Sequence, residues 1–85
     1  MRIIEIGLPE TFPDDLVPQQ AACFVSEIDG MDLSDAKRLA NERGYMPSVK
    51  KLTHLLGDNE IWGFAITVDG LGIPFMVKVE PTTLH

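Results

Sequence analysis

Two runs of strict alternation near the C-terminus limit this chain more than any other feature. Trp62, Phe64, Ile66 and Val68 take every second position of one run, and Ile73, Phe75, Val77 and Val79 every second position of the next. A period of two is the signature of a strand with one buried face. Asp69-Gly70-Leu71-Gly72 lies between the runs and is rich in turn formers. Read as a four-residue loop, it sets Val68 opposite Ile73, Ile66 opposite Phe75, Phe64 opposite Val77 and Trp62 opposite Val79, all on one face. Such a face must be covered by another element. Pro74 has no N–H to give to a ladder, so its run is expected at a sheet edge or a strand start.

The cover is expected from residues 33–43. Leu33, Ala36, Leu39 and Ala40 make a stripe at helical spacing, with Lys37, Arg38, Asn41 and Glu42 left for solvent. Asp32 or Ser34 can cap its start, Asp35 and Arg43 suit the two ends of the dipole, and Gly44 offers a left-handed stop. Residues 2–8 alternate and predict a first strand with Ile4, Ile6 and Leu8 on one side.

Two segments read both ways. Ala21–Ile28 fits a helix through Ala21, Phe24, Val25 and Ile28, with Pro18 before it, or a strand through Ala22, Phe24, Ser26 and Ile28. The Phe-Val pair and the Asp29-Gly30 turn favour the strand. Ser48–Leu56 fits a short helix ending at Gly57, but Lys50 and Lys51 would sit against the dipole in its first turns. A strand joined to the next run through a turn at 57–60 is preferred.

The expected architecture is therefore α+β: two layers, a mainly antiparallel sheet of four or five strands, and one principal helix, 33–43, on one face. Expected core residues are Ile4, Ile6, Phe24, Leu39, Trp62, Phe64, Ile66, Phe75 and Val77. The 85 residues, 45% of them apolar, suffice for one domain and one core. So small a core is marginal, and a homodimer interface is a natural supplement. Residues 81–85 are expected to fray.

Residues 9–20 stand apart. Pro9, Pro13 and Pro18 punctuate an acidic stretch that predicts a loop or arm, tacked to the core by Phe12, Leu16 and Val17. Charge is unevenly spread around a net −6. Residues 1–35 hold eight acids (Glu5, Glu10, Asp14, Asp15, Glu27, Asp29, Asp32 and Asp35) against Arg2 alone. Residues 36–51 hold Lys37, Arg38, Arg43, Lys50 and Lys51 against Glu42. The acidic total disfavours phosphate backbones, and the basic island leaves nucleic acid a lesser alternative.

Catalytic patterns are sparse. Cys23, the sole cysteine, lies in the Ala21–Val25 apolar run and reads as an inert core thiol. His54 and His85 lack the cysteine or carboxylate neighbours of a metal site, and Asp14-Asp15 reads as solvated loop acid. Gly70-Leu71-Gly72 is no nucleotide fingerprint. A trio of Ser26, His54 and Asp58 can be drawn on paper, as in any chain of this size. No enzyme, metal or cofactor is expected. The longest apolar run is far short of a membrane span, and Glu5 interrupts the N-terminal apolar run, so no targeting signal is read and a cytoplasmic protein is expected.

Leu39-Ala40, Gly44, Val49 and Leu52 are similar to a helix-turn-helix, with the 61–79 hairpin as a wing. That resemblance implies a small DNA-binding regulator using Lys37, Arg38, Arg43, Lys50 and Lys51. Ala36-Lys37-Arg38-Leu39-Ala40 followed by a β-meander with Trp62 looks like small phage-encoded inhibitors, some anti-CRISPR proteins among them. That resemblance implies an inhibitor of phage or mobile-element origin. The preferred reading is a non-catalytic inhibitor or adaptor that binds a protein partner through a sheet edge or an acidic face made of Glu10, Asp14, Asp15, Asp29 and Asp32.

Overall fold

Asp69 and Gly70 both take positive φ, 51° and 81°, and this pair alone closes the hairpin. Positive φ at both central positions is the two-residue turn whose twist matches that of paired strands. A computed structural model describes residues 1–56 and 59–80 of the chain, with side chains throughout except at 53–56. The side chain of His54, together with Asp58, His85, part of the 57–60 turn and the 81–85 tail, lies outside the described residues. The hairpin joins β3 (Asn59–Val68) to β4 (Leu71–Glu80). Its register sets Val68 opposite Leu71, Ile66 opposite Ile73, Phe64 opposite Phe75 and Trp62 opposite Val77. The four-residue loop is thus corrected to two residues, a slip of two positions along the partner. Side chains alternate with period two, so the slip leaves every residue on its expected face.

β3 also pairs antiparallel with β2 (Ser48–Leu56), and β4 with β1 (Arg2–Gly7). The sheet order is β1-β4-β3-β2. Pro74 therefore lies in a central strand, contrary to the edge expected. The pairing with β1 explains this: it ends where Gly7 meets Met76, so β4 has no neighbour on that side at Pro74. In β1 the expected face is also corrected. Ile3 faces Val79 and Ile6 faces Val77, three residues against two, with a bulge between Ile3 and Glu5. The bulge turns Ile3 fully into the core and leaves Ile4 38% exposed.

Residues 19–28 are a helix, α1 (Gln19–Ile28), where a strand was preferred. The local sequence supports either; the sheet decides. Four strands at about 4.8 Å spacing give a face roughly 14–19 Å wide, which one helix about 10 Å across does not cover. Helical winding buries Ala21, Phe24 and Ile28 completely and turns Ser26 and Glu27 outward. A strand would have put Ser26 on the same face as Phe24. The same winding exposes Cys23, correcting its assignment to the core. Pro18, with φ of −66°, precedes the helix and its carbonyl accepts from Ala21 N–H and Ala22 N–H.

α2 (Leu33–Glu42) forms as expected. The Asp32 carboxylate accepts from Ser34 N–H at 3.0 Å. At the other end Gly44 has φ 76°, its N–H donates to Asn41 O, and Tyr45 N–H donates to Ala40 O. These two bonds satisfy carbonyls that the helix would leave open. Tyr45 O in turn accepts from Thr67 N–H at 2.7 Å, fastening the α2–β2 link to the sheet.

The core lies between the helices and one sheet face. Phe24, Phe64, Ile3, Ile28, Ile66, Ile73, Val77 and Val79 are its largest enclosed side chains. Phe24 meets Tyr45 edge-on, centroids 5.4 Å apart, and Phe64 at 6.2 Å. Leu39, Ile6 and Trp62, expected in the core, are half-buried at its margin. The Trp62 indole N–H reaches Glu60 Oε1 at 3.0 Å.

Candidate functional site

A concavity of about 680 Å³ opens where the 8–18 arm passes between β1 and α1. Two short turns shape the arm. Phe12 N–H donates to Pro9 O, and a 3-10 turn at Asp14–Leu16 is closed by Val17 N–H to Asp14 O. Phe12 and Val17 pack against the core as expected, while Leu16 is 53% exposed. Ile6, Leu8, Phe12, Ala22, Val25 and Phe75 supply the apolar wall of the cleft, and Glu10 and Asp14 are its acids. A smaller hollow of about 320 Å³ shares Ile6 and Val25 with it and adds Ile4, Glu5, Ser26 and Asp29. The two make one band along the outer side of β1, apolar in its floor and acidic in its border.

The expected acidic set is divided by the structure. Glu10, Asp14 and Asp29 border this band, and Asp15 stands exposed beside Asp14 in the 3-10 turn. Asp32 is committed elsewhere: its carboxylate accepts from the N-terminal amine at 2.8 Å as well as from Ser34 N–H. Glu5 belongs to the band although its place in a strand gave no reason to select it. The apolar floor was also missed, because β1, the arm, α1 and β4 each contribute to it.

The basic island is largely matched by carboxylates. Arg38 pairs with Asp35, Arg43 with Glu27 through Nη1 and Nη2, and Lys51 lies 3.4 Å from Glu60. Arg43 also stacks 5.9 Å from the Phe24 ring centroid. Lys37 is exposed on α2 and Lys50 on β2. Residues 48–56 are a strand, so the second helix of a helix-turn-helix is not formed. Among the described residues no buried polar side chain and no cluster of three or more metal-ligating groups occurs. Among the same residues no helix is long and apolar enough to cross a membrane.

Two acids carry shifts with consequences for stability. The hydrogen bond from Arg43 holds the Glu27 carboxyl below its ordinary value. The N-terminal amine and Ser34 N–H do the same for Asp32. A folded-state value below the unfolded one adds stability that is complete above the unfolded value and lost as pH falls through the folded one. Thermal midpoints are therefore expected to be level on the acid side down to about pH 5 and to drop below about pH 4. Asp32→Asn keeps a good helix cap but loses the charge, so its midpoint should lie below wild type at pH 6 and converge toward it at pH 2.5. Parallel curves across that range would show that the amine contact does not contribute.

The fold class is thus a two-layer α+β protein, a four-stranded antiparallel sheet with two helices on one face. No family model, no curated protein and no solved structure gives a significant match to the chain.

Proposed function

We propose that this protein is a non-catalytic interaction module, an inhibitor or adaptor, that takes a segment of a protein partner into the cleft between the arm and α1. The observation that carries this reading is the pairing of an apolar floor with an acidic border: Ile6, Phe12, Val25 and Phe75 beside Glu10 and Asp14. An aromatic or aliphatic anchor would lose water in the floor, and lysines or arginines flanking it would meet the acids. Apolar burial supplies affinity in such a contact, and the charges steer the encounter and select the partner. The fitting partner segment is basic and amphipathic.

The test is a capture experiment from the native cell with mass spectrometry, run with three baits. Wild type and Lys37→Glu, which alters the far side of α2, should retain the same partner. Val25→Arg, which fills the floor with charge, should lose it. Retention by Val25→Arg overturns the cleft as the docking site. A titration with duplex DNA at two salt concentrations separates the regulator reading: specific binding with a steep salt slope would favour it over the acidic cleft.

A further inference from the structure

The helices cover one face of the sheet; the other is open and largely apolar. Its members follow from register, since they alternate with the buried Phe64, Ile66, Phe75 and Val77. Ser48 pairs with Ala65 and Lys50 with Gly63; across β4, Ala65 pairs with Pro74, Gly63 with Met76 and Ile61 with Lys78. Glu5 faces Lys78 on the β1 side. The centre thus holds Ile61, Gly63, Ala65, Pro74 and Met76. Leu52 leans over the gap above Gly63, where an added Cβ would meet its Cδ1 at 3.5 Å. Leu52 is 51% exposed and Met76 40%.

We propose that this open face is the interface of a homodimer, two sheets stacked face to face about a two-fold axis parallel to the strands. Three observations select a second copy as the occupant. The first is area. Strands of six, ten, ten and nine residues, in sheet order, rising about 3.3 Å per residue and spaced about 4.8 Å apart, give a face of roughly 500–600 Å² in projection. Side-chain relief raises the accessible area toward the ~800 Å² per partner of a standard interface. The second is charge. The β2 edge of the face carries Lys50 and the β1 edge carries Glu5, with Lys78 of β4 opposite Glu5 on the same face. The stated axis lays β2 of each copy over β1 of the other, so each lysine meets the edge bearing the opposite charge, twice over. The third is shape. A hollow of about 320 Å³ lies on this face, its apolar lining Leu8, Ile61 and Met76 and its polar lining Glu5, Asn59 and Lys78. The same axis brings the protruding Leu52 of each copy over the hollow of the other. Stacked sheets pack at about 10 Å and within about 30° of alignment, which both contacts tolerate.

This surface does not depend on the cleft reading: it meets that band at Glu5, Gly7 and Leu8, and Leu52 lines neither of the band's two hollows. The test is sedimentation equilibrium from micromolar to millimolar concentration, with far-UV circular dichroism to verify folding. Wild type should approach about 19 kDa, twice the 9.4 kDa chain. Leu52→Glu, at an exposed position, should keep the wild-type spectrum and weaken association by about 30-fold or more. Glu5→Lys and Lys50→Glu should each weaken it by roughly fivefold, and the double exchange should restore it. A wild type that stays at 9.4 kDa at millimolar concentration overturns the proposal. So does a dimer that Leu52→Glu leaves intact, or a double exchange that restores nothing.

Discussion

Phe24→Ala should lower the unfolding free energy read from urea titration at 25 °C by about 3–5 kcal/mol. Phe24 has no exposed surface and joins α1 to the sheet through Phe64 and to the α2–β2 link through Tyr45. Truncating an enclosed phenylalanine costs about 3–5 kcal/mol, the lost transfer energy plus a cavity that the backbone cannot fully close. A domain of this size has about 4–13 kcal/mol in total. The change therefore removes a large share of the stability, and at the low end of that range nearly all of it. The control is Leu16→Ala, exposed in the arm, which should shift the midpoint by less than about 0.5 kcal/mol. A Phe24→Ala transition within 1 kcal/mol of wild type would show that the helices do not depend on this ring.

Ala36→Leu should be the next most damaging of the core changes, by about 1–3 kcal/mol. Ala36 has no exposed surface, and Ala21 and Ala40 are equally enclosed. Small side chains at these positions let the helices lie close on a sheet face already filled by Phe64, Phe75 and Val77. Three added carbons have no space that does not displace a neighbour. Substituting the adjacent Lys37, exposed on the same helix, by Leu places the same side chain where no neighbour confines it and should change stability by less than about 0.5 kcal/mol. Urea titrations of the pair make the comparison, and equal midpoints would mean that the helix layer is looser than its burial indicates.

Much of the fold was legible because the relevant signals are local. Asp32, Ser34 and Gly44 mark the ends of α2 through bonds made within a few residues of each cap. The 62–79 alternation specifies a face, and a face survives a two-residue slip. The slip itself was not legible. Asp69-Gly70-Leu71-Gly72 can close as two residues or four, and the sequence alone does not rank their backbone angles. α1 was not legible because Ala21–Ile28 satisfies both periods. The β1 bulge was hidden too, since its cause is the demand that Ile3 and Ile6 both turn toward Val79 and Val77. The acidic character of the arm could be read directly; the apolar floor beside it could not, because its parts lie as far apart in the chain as Ile6 and Phe75.

What the amino-acid order determined without help is the set of periods and stops: which residues alternate, which recur every third or fourth position, and where a cap or a turn interrupts them. These depend on neighbours a few bonds away. Only the packed structure decided that a second helix was required, which side of β1 turns inward, and that Glu10 and Asp14 border an apolar cleft. Those outcomes follow from the width of a four-stranded face and the volume beneath it, quantities that exist only once distant segments share a core.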